Sequence, residues 1–469
     1  MSPSSSTASI SVLTSLPPPA PDIPAAFTQS LRSWWTNVGS KQAQTSEQRL
    51  LLRVPYFSKY SKPPSTTQNP PLTVLSSLVS LSNPKHHINT LAMTSTNPDT
   101  SSSASPPAVV LHGYGAGLGF FFRNFPTLAH WAERRRSAVY AIDWLGMGRS
   151  ARVPFSVKAK RSNVEERVEE AESFFIDSLE DWRKQMGLER MTLIGHSLGA
   201  YLSVAYTIKF PERVSKLILL SPAGIPRGPN FTEITREFTD HGADPEGEHD
   251  SQTGGDPTKA EPASKSKVSA LRSSQKRHSD QSEPQSIGRR VFTYLWEEGW
   301  SPFQVVRSTL FWGPMLVGKY SSRRFQGLTD EETRDLHDYI LNITLAKGSG
   351  EYCISHLLAP GAYARSPMVD RIHQVKVPVT FVYGDNDWMD PVGGMQSVEK
   401  LRQAGNGEGK MYIVNNAGHH LYLDNPDAIN SLLIKELDKV HPSQPSFQRS
   451  QNRDSPQLDD SEQNFHSFY

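Results

Sequence analysis

Short apolar runs rich in β-branched residues alternate with stretches of helical period through the middle of the chain. The segments 108–113 (AVVLHG), 138–143 (AVYAID), 191–196 (MTLIGH) and 216–222 (KLILLSP) have the length and composition of buried strands. Segments 377–387 (VPVTFVYGDND) and 410–420 (KMYIVNNAGHH) repeat the rhythm, each a strand that runs out into a polar loop. Between strands, apolar residues recur every three or four positions. Val164, Val168, Ala171, Phe175, Leu179 and Trp182 form one such stripe, preceded by Ser162 and Glu165 at capping-box spacing. Residues 197–210 (SLGAYLSVAYTIKF) read as a further helix. Strand–helix alternation with right-handed crossovers predicts an α/β fold, a mostly parallel central sheet covered by helices on both faces.

Polar segments interrupt this pattern, and they set the predicted domain plan. A disordered N-terminal region is expected over 1–48 and the first part of the core over 49–224. A mainly helical cap follows over 225–370, carrying a disordered insertion at 240–287. The second part of the core spans 371–442, and a disordered tail 443–469. The first 30 residues are rich in Ser and Pro with no acid before Asp22, a partial match to a mitochondrial transit peptide; the first base, Arg32, comes late, so a plain tail competes. The mitochondrion is the expected compartment, with cytoplasm or a lipid-droplet surface as alternatives.

Composition narrows the partners. Lys and Arg number 49 against 48 Asp and Glu, a net charge of +1, which weighs against a nucleic-acid partner. The single cysteine, Cys353, excludes an internal disulfide framework and a cysteine-rich zinc site. No apolar run reaches the roughly 18 residues of a membrane span, so contact with a membrane is expected from its surface.

The strongest chemical signal is Gly195-His196-Ser197-Leu198-Gly199, a G-x-S-x-G between a predicted strand and a predicted helix. That context is a nucleophile elbow: the glycines permit a sharp turn that lifts Ser197 to the sheet's edge. A serine hydroxyl needs a base, and in such sites the acid and then the histidine follow in the chain. The loop 383–391 offers Asp387, with Asp390 competing and Asp385 read as a turn residue. The loop after the last strand offers His419, preferred to His420 because it directly follows Gly418. Oxyanion donors are expected from the backbone of Leu198 and, in the loop 112–117 (HGYGAG), of Tyr114. That loop lacks the spacing of a dinucleotide or phosphate-binding motif, and the chemistry calls for no metal or organic cofactor. Arg149, in the turn 143–150 (DWLGMGRS), is read as a structural ion pair. The run Phe120-Phe121-Phe122 is read equally as acyl pocket or core.

Together the motifs HGYGAGLGFFFRNF (112–125), DWLGMGRS (143–150), GHSLGAYLS (195–203), SPAG (221–224), PGAYARSPM (360–368), YGDNDWMD (383–390) and AGHHLYLDNP (417–426) resemble the serine α/β hydrolases. The resemblance is narrower to their lipid-acting branch. That branch includes the mitochondrial cardiolipin deacylase, N-acyl-phospholipid lipases, plant lysophosphatidic acid acyltransferase–lipases and the lipid-droplet activator of triglyceride lipase. It implies an α/β-hydrolase fold and cleavage of acyl esters in glycerophospholipids, with cardiolipin or a related mitochondrial phospholipid as the expected substrate. The spacing His419 to Asp424 matches what that branch calls an acyltransferase motif, which implies acyl transfer to a lysophospholipid; it equally describes an acid that fixes the histidine loop. The activator lacks the nucleophilic serine, whereas this chain keeps Ser197. A peripheral membrane surface is a further expected partner, through Trp296, Trp300 and Trp312 of the cap with Arg289 and Arg290 beside them. Protein partners are left unassigned. A soluble esterase with the same triad and a lipase-regulating membrane scaffold are the competing readings.

Overall fold

The computed structural model describes residues 16–36, 39–55, 57, 71–101, 104–227, 258–279, 287–325, 327–360 and 362–440. The apolar runs become strands of one sheet: β1 (Leu72–Ser80), β2 (His87–Ser95), β3 (Ala108–Leu111), β4 (Ala138–Ile142), β5 (Met191–His196), β6 (Val214–Leu220), β7 (Ala260–Pro262), β8 (Val379–Gly384) and β9 (Lys410–Val414). Among the described residues the order is β1-β2-β4-β3-β5-β6-β8-β9-β7. Neighbours from β4 to β9 pair in parallel, while the β1–β2, β2–β4 and β7–β9 pairs are antiparallel. Every residue of β3, β4, β5, β6 and β8 is buried. A sheet covered on both faces requires this, and it is why these strands read as continuous apolar runs.

The helices are α1 (Phe27–Thr36), α2 (Ser40–Leu51), α3 (Phe125–Arg134), α4 (Val164–Gln185), α5 (Leu198–Lys209), α6 (Lys265–Ser279), α7 (Ile287–Glu297), α8 (Pro302–Ser308), α9 (Gly313–Arg324) and α10 (Asp330–Leu345), followed by shorter and C-terminal helices. One core layer gathers Phe175, Trp182, Tyr201 and Leu202. The other gathers Phe121, Phe125, Trp131 and Leu433. The predicted stripe of α4 is buried from Val168 through Ala171, Phe175 and Leu179 to Trp182 while Val164 is exposed, and the cap falls one residue beyond the Ser162–Glu165 pair: the Asn163 side chain accepts from the Glu166 amide at 3.2 Å and donates to its carboxylate at 2.7 Å.

Two parts of the predicted plan differ. Within 1–48, helices α1 and α2 form against the body of the protein, and residues 46–51 are buried. Their sequence is too polar to announce this, because their partners are distant. Arg49 pairs with Asp338 on α10, and Arg53 reaches Asp335 at 2.7 Å. Within 240–287, strand β7 extends the sheet beside β9 and is followed by α6. The remainder of those two segments (1–15, 37–38, 240–257 and 280–286) and the tail 443–469 lie outside the described residues.

Candidate active site

Ser197 sits between the end of β5 and the first turn of α5 with φ 51° and ψ −116°, a left-handed conformation that costs a non-glycine residue about 1–3 kcal/mol. The fold imposes it: the Ser197 amide donates to the Leu220 carbonyl on β6 at 2.9 Å, and α5 begins immediately after. A methyl group on Gly199 would stand 2.5 Å from the carbonyl oxygens of both Leu111 and His112. The glycine after the serine is therefore what lets α5 start tight against β3.

The two later loops converge on this serine. His419, in the loop after β9, places Nε2 3.0 Å from Ser197 Oγ and Nδ1 3.2 Å from Asp387 Oδ1. Asp387 follows β8, is buried, and accepts from the Met389 amide at 3.1 Å. The other candidates have different tasks. Asp390 caps the helix Pro391–Gln403 through the Val392 amide at 2.8 Å. Asp385 accepts from the Asn416 and Ala417 amides, each at 3.0 Å, and so shapes the base of the histidine loop. His420 turns away from Ser197: its ring stacks on Phe120 with centroids 5.8 Å apart, and Arg324 donates to its Nδ1 at 3.2 Å.

His196 adds a grip that the sequence pattern does not signal. Its Nε2 lies 2.9 Å from the His419 carbonyl, where only a protonated nitrogen makes a bond. Burial holds its pKa well below the ordinary imidazole range, so it stays neutral in this role. A hydroxyl hydrogen-bonded to an imidazole whose far nitrogen faces a buried carboxylate can lose its proton to that imidazole.

The predicted oxyanion residues flank the same point. Leu198 is the first residue of α5, and the loop of Tyr114 lies against the serine: a methyl group on Gly113 would be 2.9 Å from Ser197 Cβ. Tyr114 stacks on Phe303 of α8, ring centroids 5.5 Å apart. Behind the loop, Asp143 accepts from the amides of Leu118 and Arg149 and from the Asn89 side chain, each at 2.8 Å, and ties the 112–118 turn to the 143–150 turn. Arg149 makes the expected ion pair, with Glu47 of α2 at 2.5 Å. Burial raises the Glu47 pKa and the guanidinium opposes that rise. Phe120, Phe121 and Phe122 are core residues; Phe121 stacks on Tyr422 at 4.2 Å. Burial likewise pushes the Cys353 thiol up, which disfavours the thiolate.

An elbow serine on a mostly parallel sheet, with an acid and a histidine from later loops, is the layout of the α/β hydrolases. The α/β-hydrolase-fold family model matches residues 106–426, and the chain belongs to that family. Among curated relatives, a 1-acylglycerol-3-phosphate O-acyltransferase of Arabidopsis thaliana is 32% identical over 417 residues, 87% of this chain and 82% of its own. A (lyso)-N-acylphosphatidylethanolamine lipase of Homo sapiens is 30% identical over 340 residues, 71% of this chain and 80% of its own.

Proposed function

We propose that this protein is a serine esterase acting on acyl esters of glycerophospholipids, able also to pass the acyl group to a lysophospholipid. The observation that carries the reading is the unbroken line from Ser197 through His419 to Asp387, at 3.0 and 3.2 Å. Ser197 Oγ attacks the ester carbonyl while His419 Nε2 takes its proton, and Asp387 keeps the imidazole in the required tautomer. The Leu198 and Tyr114 amides meet the developing oxyanion. His419 then gives the proton to the departing lysophospholipid oxygen, and water or an acceptor hydroxyl repeats the attack on the acyl-enzyme.

The names of the plant acyltransferase and the human lipase support a lipid substrate and both fates of the acyl group. The surface supports work at a membrane. Trp296 is buried in the cap, but Trp35 is 78% exposed and Trp312 44%, alongside exposed Leu31, Leu310 and Leu316. Helices α1 and α9 carry Arg32, Lys319 and Arg323 and no carboxylate, which suits an anionic lipid surface. Arg289 and Arg290 open α7, and their side chains lie outside the described part. No helix among the described residues is long and apolar enough to cross a bilayer.

The test is product analysis on vesicles of phosphatidylcholine, phosphatidylethanolamine and cardiolipin, with and without lysophosphatidic acid, for wild type and Ser197→Ala. The reading expects serine-dependent lysophospholipid, with cardiolipin or a related mitochondrial lipid preferred, and acylated acceptor when one is supplied. Turnover only of soluble esters would favour a small-molecule esterase, and a cellular effect that survives Ser197→Ala would favour a scaffold. A mitochondrial location is proposed on the acid-free stretch before Asp22. Fusion of residues 1–48 to a fluorescent protein tests it, and a cytoplasmic or lipid-droplet signal overturns it.

A further inference from the structure

Two neighbouring cap residues, Arg324 and Phe325, touch the histidine loop. Arg324 is the last residue of α9, and its guanidinium grips Asp424 with two bonds of 3.0 Å, Nη1 to Oδ1 and Nη2 to Oδ2. The same Nη2 donates to His420 Nδ1 at 3.2 Å. Asp424 Oδ2 in turn accepts from the amide of Gly418 at 3.0 Å, the residue before His419. Phe325, next in the chain, packs edge-on against both Phe120 and His420. Away from the cap, the loop is also held by Asp385 at the Asn416 and Ala417 amides, by the Asn386 amide at the Ala417 carbonyl, by the Asn425 side chain at the Asn415 carbonyl and by His196 at the His419 carbonyl.

The chain of contacts therefore runs from a cap helix through a bidentate ion pair to the backbone one residue from the base. A bidentate fork fixes a carboxylate in orientation as well as in position. The pair lies at the surface, its side chains 24% and 19% exposed, so the restraint comes from the bidentate geometry more than from exclusion of solvent. Without the guanidinium, Asp424 can turn toward water and release Gly418, and the His419 ring loses one of the restraints on its distance to Ser197.

We propose that Arg324 is a positioning residue for His419, acting through Asp424 and Gly418, so that docking of α9 on the histidine loop is a condition of full turnover. The acid of the H-x-x-x-x-D spacing then serves as the seat of a cap arginine, not as a group that touches substrate. This inference rests on the assignment of Ser197 and His419 given above.

The test measures the rate constant for fluorophosphonate labelling of Ser197, and kcat and KM on a soluble short-chain ester, in the full-length chain. Variants are Arg324→Ala, Arg324→Lys, Asp424→Asn and the double Arg324→Ala/Asp424→Asn. Asp424→Asn keeps an oxygen for the Gly418 amide while removing the charge that holds Arg324. Misplacing a reacting group by about 1 Å can cost up to about a hundredfold. The expected result is a labelling rate and kcat lowered about tenfold to a hundredfold in Arg324→Ala and Asp424→Asn, with KM within about threefold of wild type. The double variant should be no slower than the worse single one, and Arg324→Lys should recover part of the loss. A purely structural role would lower the fraction that labels and leave the rate constant of the folded fraction unchanged, which would overturn the proposal. Multiplicative losses in the double variant would overturn it too, since the two residues would then act separately. If wild type does not label at Ser197, the underlying assignment has failed; if wild type labels and Arg324→Ala labels equally fast, only the positioning role has.

Discussion

Replacing Asp387 by Asn tests the part of the site that depends most on three-dimensional placement. Asp387 Oδ1 faces His419 Nδ1 at 3.2 Å and also accepts from the Met389 amide at 3.1 Å. One oxygen makes both contacts, so in Asp387→Asn an amide oxygen there keeps both bonds without the charge that stabilises the imidazolium, while an NH2 there meets the ring and gives up the Met389 bond. With the NH2 toward the ring, His419 presents a lone pair at Nδ1 and carries its proton on Nε2, the nitrogen 3.0 Å from Ser197 Oγ. In that tautomer the ring cannot accept the serine proton. Loss of the base tautomer in such a triad is worth about 10⁴ in kcat, or about 5.5 kcal/mol at 1.36 kcal/mol per decade. Asp390→Asn is the matched control: it caps the helix at Pro391 through the Val392 amide, and asparagine caps about as well as aspartate. The assay is kcat/KM on a soluble ester with the folded fraction checked by circular dichroism. A collapse in Asp390→Asn with near-normal activity in Asp387→Asn would refute the assignment.

Three further outcomes follow from the geometry. Gly199→Ala drives a methyl group to 2.5 Å from two backbone oxygens, so it should destabilise the fold by about 2 kcal/mol or more and slow fluorophosphonate labelling of any folded fraction; a normal melting temperature and labelling rate would count against the elbow packing. Arg149→Met leaves the Glu47 carboxylate buried without its guanidinium, an expected loss of about 3–5 kcal/mol that the double variant Glu47→Gln/Arg149→Met should partly restore in denaturant unfolding, and an unchanged midpoint in the single variant would contradict this. Burial lowers the His337 pKa to about 4, below the roughly 6.5 of an unfolded chain. The unfolded state therefore takes up a proton first as pH falls, and up to about 3 kcal/mol of stability is lost between about pH 6.5 and 4. His337→Gln should flatten that slope, and an identical slope would show that His337 is not its source.

Much of the site is local chemistry and was legible. The strand–glycine–serine–glycine–helix order around Ser197 carries its own geometry, because few backbones other than an elbow satisfy it. The polar loops after the strands ending at Gly384 and Val414 were visible for the same reason. The choice of Asp387 over Asp390 was not, since both lie in one loop and only the direction of each side chain separates a triad acid from a helix cap. The helix α2 was hidden for a related cause: Glu47 and Arg49 look like surface charges in sequence, and their partners Arg149 and Asp338 lie far along the chain. Arg324 gave no signal at all, as an arginine at the end of a helix is ordinary until Asp424 is found beside it.

One experiment bears most directly on the whole account: mass-spectrometric mapping of the fluorophosphonate adduct on the native full-length protein. The account predicts a single adduct on the peptide holding Ser197, absent from Ser197→Ala and slowed by several orders of magnitude in His419→Ala. An adduct on another residue, or none on a protein that still releases fatty acid from phospholipid vesicles, would contradict it.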